Sequence, residues 1–494
     1  MTKNNYIFRS TEWILEKGWP YIILIVALYF LFYKFLLQYS PIMNIAIGLI
    51  PLFIIMVIFL LKSSRYAFFC LFALQFLAVV PSDFLMTYPL GIVTSIICVV
   101  MTILLLVYYA LYDKSIDWKV SRILMLNVLL IWCIYCVLEL ANPNAVFKAW
   151  QVLMFQYAIY PVLCFILVPV TVKNLKGVHI LLIIWSIFVI ICIAIALKQQ
   201  YLGWNEREKY FLFVLDGART HIIWSGIRYF SCFTDAANFG VHMAMAATTF
   251  GISAFYIKNK AFKVYCLIIM LLALYGMAIS GTRSAVAVPL GALMTLAILS
   301  KNLKITISTV LLIISLYVFF AFTQIGDGNG YIRKMRSAFH PSDDPSYLLR
   351  VENRKKIKAL MITKPIGYGL GLSKPGLYKS RERMPYPPDS FLISIWVETG
   401  YIGLAIYLIV HILFFLWASW TLLFKIKSKR VRGLVTAWLG MVIGFFISAY
   451  GNDVMQYPNS ITVYTALALC IAAPYIDQDE ESKKNNHLEI QKIQ

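Results

Sequence analysis

The sequence predicts an all-α, polytopic membrane protein that crosses the bilayer about fourteen times, and three observations lead to this fold class. Hydrophobic residues make up 61% of the 494 residues. Most of them lie in apolar stretches of roughly 15 to 22 residues, near the ~20 residues that a helix needs to cross a hydrocarbon core of ~30 Å. Every second short connector between these stretches is basic. In lipid, such stretches satisfy their own backbone hydrogen bonds as helices.

The apolar stretches also divide the chain into segments. They begin near Tyr21, Met43, Ala67, Leu90, Ile123, Val152, Val178, Phe239, Val264, Ala285, Ile305, Tyr401, Leu434 and Ile461. About eleven of them form a membrane bundle over 1–323. A large, partly helical loop follows over 324–389, and the C-terminal membrane helices occupy 390–476. The tail 477–494 is charged and low in hydrophobicity, so we predict that it is disordered.

The charges of the connectors predict the orientation. The run 425–432 is strongly basic, whereas the short connector near Pro81 carries no Lys or Arg, and this alternation repeats along the chain. Short basic loops stay in the cytoplasm. We therefore expect both termini in the cytoplasm, and the long loops 198–238 and 324–389 outside it.

The formal net charge of +21 does not predict nucleic-acid binding, because the positive-inside rule accounts for much of it. The loop 324–389 is different, since it contains thirteen Lys and Arg but six Asp and Glu, a net charge of +7. Two explanations remain open. The loop is attracted to anionic membrane lipids, or it recognises a phosphorylated substrate at the membrane surface.

Two patterns stand out inside this loop. Residues 346–362 have the spacing of an amphipathic helix with a basic polar side, which is typical of contact with headgroups. The glycine run, Pro-Ile-Gly-Tyr-Gly-Leu-Gly at 365–371, follows it. Glycines let backbone N–H groups approach a phosphate, but they also form tight turns. No strand–helix context supports a dinucleotide site here.

Two carboxylates flank the start of the next membrane helix. Asp389 follows a Pro-Pro break, so it is either a helix cap or a chemical group. Glu398 lies roughly 180° around the helix from Asp389, at about 100° per residue. The two carboxylates therefore do not form an acid–base pair unless Gly400 marks a distortion.

Polar residues also mark the other external segments. Arg228 precedes Asp235 and Asn238, either of which could cap the following membrane helix. Arg283 lies between two apolar helices in Ser-Gly-Thr-Arg-Ser. A charge so close to hydrocarbon needs headgroup water or an anionic partner, such as a substrate phosphate.

Metal and redox chemistry are not expected. Eight of the nine cysteines lie within or at the edge of predicted membrane helices, and Cys232 lies in an external loop. Cys133 and Cys136 have the spacing of a metal pair, but they sit in an apolar helix without nearby partners. We predict no metal and no cofactor.

Four motifs, in this order, resemble the bacterial O-antigen ligase and O-antigen polymerase superfamily. They are Arg228 with Phe233-x-Asp235-x-x-Asn238; Ser280-Gly281-Thr282-Arg283-Ser284-Ala285; Arg350 followed by the glycine run; and Pro388-Asp389-Ser390-Phe391-Leu392 followed by Glu398-x-Gly400-x-x-Gly403. Each motif is weak alone, but together they are specific. They cover about 225–405, and the rest of the chain resembles the family only in topology.

The resemblance implies a metal-independent glycosyltransferase of surface polysaccharide biosynthesis in the bacterial inner membrane. Such enzymes take a glycan from undecaprenyl pyrophosphate on the periplasmic face. They pass it to a hydroxyl of lipid A–core or of a second lipid-linked glycan. The arginines that fit pyrophosphate binding are Arg228, Arg283 and Arg350, because a guanidinium stays charged and grips phosphate oxygens bidentately.

One departure concerns the acceptor. Ligases usually present His before Asn where this chain has Pro388-Asp389, and the His residues of its external loops are His221 and His340. Either Asp389 acts as the base, or catalysis relies on phosphate stabilisation and proximity. This favours a polymerase or a divergent ligase. The alternatives are a lipid-linked oligosaccharide flippase and a non-catalytic assembly partner, but the charged motifs gather in loops and not along the membrane interior.

Overall fold

The computed structural model describes residues 63–80, 90–223, 226–339, 345–373 and 382–493, together with Ala27. Its helices are α1 (Ser64–Leu77), α2 (Leu90–Leu111), α3 (Leu124–Leu138), α4 (Phe147–Met154), α5 (Tyr160–Thr171), α6 (Leu175–Tyr201), α7 (Glu206–Lys209), α8 (Ala218–His221), α9 (Ala236–Tyr256), α10 (Lys260–Ile279), α11 (Ala287–Leu299), α12 (Leu303–Phe322), α13 (Gly330–Arg336), α14 (Pro345–Met361), α15 (Phe391–Trp420), α16 (Lys429–Gly451) and α17 (Asn459–Ile493). Two short strands, β1 (Ile222–Ile223) and β2 (Gly226–Ile227), pair antiparallel with Ile222 opposite Ile227.

Eight helices in the described part of the chain are long and apolar enough to cross a membrane. They are Leu124–Ala141, Phe147–Thr171, Leu175–Tyr201, Lys260–Ile279, Leu303–Phe322, Phe391–Lys425, Lys429–Gly451 and Asn459–Asn485. The prediction of a helical, multi-pass membrane protein is confirmed. The count of about fourteen spans stays a prediction, and the stretches near Tyr21 and Met43 lie outside the described residues.

The chain divides into two compact units, Met1–Ile116 and Asp117–Gln494. In the first unit, α1 packs against α2. Gln75 donates a hydrogen bond to the hydroxyl of Thr102, and the Tyr109 hydroxyl donates to the Ser64 carbonyl. Such interhelical hydrogen bonds stabilise helix pairs in a medium that offers no water to polar groups.

The core of the second unit contains α9, which is buried along most of its length. It packs against α10 and α16, and α11 packs against α16. The α11–α16 contact is close, since a Cβ placed on Gly291 would lie 2.6 Å from the Cα of Gly444. Small residues at such crossings allow the backbones to approach. The contact places the residues before α11 beside the end of α16, where Asn452 donates to the hydroxyl of Ser284.

The loop 324–389 belongs to the second compact unit, and the boundaries at 323 and 389 stay predictions. The helix predicted at 346–362 is present as α14. An apolar cluster anchors this part of the loop to the membrane helices; its buried members are Ala149, Ile357, Met361, Tyr368, Leu372, Met384 and Val397. The basic loop is thus held in place by its apolar residues.

The tail after Asp477 differs from the prediction of disorder, because α17 continues to Ile493. The Asp477 carboxylate accepts from the backbone N–H groups of Lys427 and Ser428, at 2.9 and 2.8 Å. Glu480 forms a salt bridge with Arg430 at 2.6 Å. These contacts give the charged segment partners next to the start of α16, and composition alone does not reveal them.

Candidate active site

Arg228 lies directly after β2, and its guanidinium is held by neutral acceptors. Its Nε donates to the carbonyl of Ser280 at 3.2 Å, Nη1 to the carbonyl of Thr220 at 3.1 Å, and Nη2 to Oγ1 of Thr282 at 3.2 Å. Thr282 in turn donates to the carbonyl of Ala236 at 2.8 Å. The side chain is therefore fixed in direction, while none of these bonds neutralises its charge.

The charges around Arg228 are mostly positive. The pKa of Arg228 is lowered to about 10, chiefly by burial; Asp235 raises it, and Arg283 and Arg350 also lower it. Arg228 stays charged at neutral pH despite these effects. The three arginines predicted from separate motifs thus lie within electrostatic reach of one another, and we call them the arginine cluster.

Arg283 begins a short 3-10 turn, Arg283–Val286, at the start of α11. Its Nη1 donates to Oγ of Ser337 at 3.3 Å, and Ser337 follows α13 in the large loop. The turn before α11 and the first part of the loop are therefore in contact through this side chain.

Arg350 reaches the cluster from α14. Its Nη1 donates to the carbonyl of Gly451 at 2.9 Å and its Nη2 to Oδ1 of Asn452 at 3.1 Å. Burial lowers the pKa of Arg350, Asp389 raises it and Arg354 lowers it. The cluster thus combines the segment after β2, the turn before α11 and a helix of the large loop.

Asp389 is not the cap of α15, because the helix begins at Phe391 and Ser390 occupies the N-cap position. The capping explanation is therefore wrong for Asp389. Burial raises the pKa of its carboxyl, Arg350 and Arg354 lower it, and Asp453 raises it. Among the described residues, no side chain or backbone group donates a hydrogen bond to this carboxylate. It is half-buried and next to the arginine cluster.

Asp235 caps α9, as one of the two alternatives predicted. Its Oδ1 accepts from the N–H groups of Ala237 and Asn238 at 2.7 and 2.9 Å, and Oδ2 accepts from Nδ2 of Asn238 at 2.7 Å. Asn238 is buried and accepts from Nδ2 of Asn459 at 3.2 Å. Asn459 continues the chain of hydrogen bonds to Nδ1 of His242 at 2.8 Å. These residues position the start of α9 beside Arg228.

The glycine run packs against a break in α15. Gly400 has φ 68° and ψ −165°, a conformation that interrupts the helix. The N–H of Tyr401 donates to the carbonyl of Pro365 at 3.0 Å, and the N–H of Tyr368 donates to the carbonyl of Val397 at 2.8 Å. The run therefore supplies partners for the backbone groups that the break releases.

Glu398 lies beside this break and is buried. Its carboxylate accepts from the hydroxyls of Ser373 and Tyr157, and its carbonyl accepts from the N–H of Gly369 at 3.0 Å. A Cβ on Gly367 would lie 2.6 Å from the carbonyl group of Glu398. The distortion at Gly400 thus serves the packing of the glycine run. Glu398 is bound to the loop through the Ser373 hydroxyl and to the segment between α4 and α5 through the Tyr157 hydroxyl.

One continuous stretch of sequence carries a family signature. It contains the turn Arg283–Val286, α14, the glycine run and the start of α15. Residues 268–408 match the family model described as O-Antigen ligase. The predicted resemblance to the O-antigen ligase and polymerase superfamily is confirmed by this match. Arg228, Asp235 and Asn238 precede the matched segment. No curated protein matches the chain.

His221 and His340 are the two histidines of the predicted external loops, where a ligase would present its His. His221 is buried, and its Nε2 accepts from the N–H of Ala236 at 3.1 Å while Nδ1 lies 2.9 Å from the carbonyl of Gly217. Burial lowers the pKa of this imidazole. Both ring nitrogens form hydrogen bonds. His221, the last residue of α8, is therefore a structural residue that binds the first residue of α9. His340 lies outside the described residues.

Sequence reasoning missed two residues near the cluster. Asp453 follows α16 and acts on the charge of Asp389, and Lys334 on α13 acts on that of His221. The sequence gives no sign of either residue. Asp453 lies in a connector and Lys334 on a helix of the large loop, and neither belongs to a motif. As for a metal, the described residues contain no group of three or more His, Cys, Asp or Glu that could hold one.

Proposed function

We propose that the protein transfers a glycan from undecaprenyl pyrophosphate to a hydroxyl acceptor on the periplasmic face of the bacterial inner membrane. The O-Antigen ligase match supports an enzyme of the ligase or polymerase type. Undecaprenyl pyrophosphate as the donor, the hydroxyl acceptor and the roles of Arg228, Arg283, Arg350 and Asp389 are part of the proposal.

The arginine cluster is the observation that carries this proposal. Three guanidiniums converge from separate segments, and the hydrogen bonds that Arg228 and Arg350 donate go to neutral acceptors. Asp235 acts on the charge of Arg228 and Asp389 on that of Arg350, but neither carboxylate accepts a hydrogen bond from the arginine on which it acts. Partly buried cations that donate to neutral acceptors favour a multiply charged anion. A pyrophosphate offers several oxygens to planar guanidinium forks. The cluster would also stabilise the negative charge that develops on the leaving pyrophosphate.

Asp389 supplies the second half of the reaction. An acceptor hydroxyl attacks the anomeric carbon of the donor glycan, the bond from that carbon to the pyrophosphate oxygen breaks, and the pyrophosphate leaves with the electron pair. The hydroxyl proton passes to the Asp389 carboxylate. Burial raises the pKa of Asp389, which makes it a better proton acceptor than an exposed aspartate.

The acceptor separates the two family activities. His221 is occupied by structural hydrogen bonds, so the described residues offer no free imidazole to the cluster. This supports a polymerase, or a divergent ligase with a carboxylate base. A flippase remains the second candidate, and membrane lipids are expected partners of the basic loop in either case.

A transfer assay tests the proposal. Purified protein in detergent would be mixed with a lipid-linked repeat unit, and products would be followed as a ladder on a gel together with released undecaprenyl pyrophosphate. The expected result is both products with the wild type and with Arg333→Ala, and neither with Arg283→Ala. Movement of the lipid-linked glycan across vesicle membranes without any transfer would instead identify a flippase.

A further inference from the structure

Lys334 stands out among the basic residues of α13. Its neighbour Arg336 forms a salt bridge with Asp327 and donates to the carbonyl of Ile325 at 3.0 Å. In contrast, Nζ of Lys334 is buried and has no hydrogen-bond partner among the described residues. A buried ammonium without a partner is costly, so its position calls for a ligand.

The surroundings of Lys334 show which ligand would fit. A Cβ placed on Gly281 would lie 3.3 Å from Nζ of Lys334 and 3.4 Å from Cγ of Arg228. Ser337, one turn further along, donates to the carbonyl of Lys334 at 2.8 Å and accepts from Nη1 of Arg283 at 3.3 Å. Lys334 therefore lies beside Arg228 and near Arg283.

Gly281 is essential to this arrangement. Its φ of +57° lies in the left-handed region, which a residue with a side chain adopts at a cost. A Cβ there would also crowd the Lys334 side chain at 3.3 Å and lie in contact with Arg228 at 3.4 Å. The Ser-Gly-Thr-Arg motif thus leaves open the space in which the lysine and arginine side chains meet.

The electrostatics agree with an anion site. Burial, together with the charges of Arg228 and Arg283, lowers the pKa of Lys334 to about 7. His221 is a titratable group that the Lys334 charge reaches, and burial lowers the pKa of its imidazole. The Asp235 carboxylate near Arg228 is occupied by the N–H groups at the start of α9. An entering phosphate would meet cations from two directions.

We propose that Lys334 is a further ligand of the arginine cluster and that its ammonium binds a non-bridging oxygen of the donor pyrophosphate. The inference rests on the proposed function. It adds Lys334 to the pyrophosphate ligands and couples binding to the protonation of its amine. Because only the protonated amine binds the anion, substrate binding raises the pKa of Lys334. At a pH above 7, binding therefore takes up protons from solution.

Calorimetry with inorganic pyrophosphate tests this directly. The full chain in detergent would be titrated at pH 8 in two buffers of different ionisation enthalpy, which measures both affinity and protons taken up. Lys334→Met should weaken binding about 10- to 100-fold and lose part of the proton uptake. Lys334→Arg should keep the affinity but lose the same part of the uptake, because Arg is always charged. Arg333→Met, an exposed change on the same helix, should behave as the wild type.

Several outcomes would overturn the proposal. Unchanged affinity and proton uptake in Lys334→Met would remove Lys334 from the site while the transferase reaction stood. A wild type that binds no pyrophosphate would overturn the site itself, and the transfer assay would then decide the proposed function separately. Competition by excess phosphatidylglycerol in the micelles would assign the site to lipid headgroups. Conversely, Lys334-dependent pyrophosphate binding in a protein that transfers no glycan would support the site and refute the proposed function.

Discussion

Nη2 of Arg350 donates to Oδ1 of Asn452, 3.1 Å away, and the same amide donates to the hydroxyl of Ser284. One asparagine after α16 therefore links a helix of the large loop to the residue that follows Arg283. This geometry explains how motifs from distant parts of the chain meet at one place. It also makes the site sensitive to changes in groups that are not themselves charged.

Arg283→Lys should lower glycan transfer strongly, although the charge is kept, because the ammonium loses the planar fork that grips two phosphate oxygens. Loss of one stabilising donor costs about 100- to 1000-fold in rate in comparable sites. Initial transfer rates of purified protein would measure the effect, with Arg333→Lys as the matched control. Normal transfer by both Arg283→Lys and Arg283→Ala would exclude Arg283 as a pyrophosphate ligand and favour contact of its side chain with lipid headgroups.

Asp389→Asn should lower transfer about 100- to 10,000-fold if the carboxylate is the general base. The amide has nearly the same shape but cannot accept the proton. Since Ser390 and not Asp389 occupies the N-cap position, loss of a cap does not complicate the comparison. Pyrophosphate binding should remain, and retained transfer would leave catalysis to the arginine cluster.

Arg354→Met should shift the pH profile of transfer. Arg354 donates to the carbonyl of Tyr450 at 2.9 Å and lies over its ring. Burial raises the pKa of Asp389, and Arg350 and Arg354 lower it. Without the Arg354 charge this pKa rises, so Asp389 is protonated at a higher pH and the acidic limb of the rate profile moves upward. Lys355→Met, exposed on the same helix, should leave the limb in place. An unmoved limb in Arg354→Met would argue against Asp389 as the titrating base.

Gly400→Ala should destabilise the protein, because a Cβ at this position would lie 2.0 Å from the carbonyl oxygen of Pro365 and φ 68° is unfavourable for alanine. Strain of this kind costs about 1–3 kcal/mol before the clash is counted. Thermal unfolding in detergent would measure it. Gly328→Ala is the control, since a Cβ there meets no atom within 4 Å. Equal unfolding temperatures for the two variants would contradict the docking of the glycine run at the helix break.

The topology predicts opposite labelling of two exposed lysines. In a background without cysteine, Lys355→Cys should react with a membrane-impermeant thiol reagent in intact cells, and Lys427→Cys should react only after the membrane is opened. The glycine run is a poor position for this test because Tyr368 is buried. Labelling of position 427 in intact cells would reverse the predicted orientation.

The sequence predicts the helical membrane fold well because bilayer thickness and backbone hydrogen bonding leave few alternatives to an apolar stretch. It also predicts α14 and the family motifs. It does not predict that Ser390 takes the cap in place of Asp389, since both residue types cap helices. Nor does it predict the helical tail, whose partners Lys427 and Arg430 are distant in sequence. Lys334 is invisible for the same reason: its lack of a partner depends on the packing of α13 beside Gly281.

A Cβ on Gly367 would meet the backbone of Glu398 and Gly400, and a Cβ on Gly400 would meet the backbone of Pro365 and Ile366. A substitution at one glycine is therefore not rescued by leaving the other intact, and the two should be inherited together as a single unit of sequence.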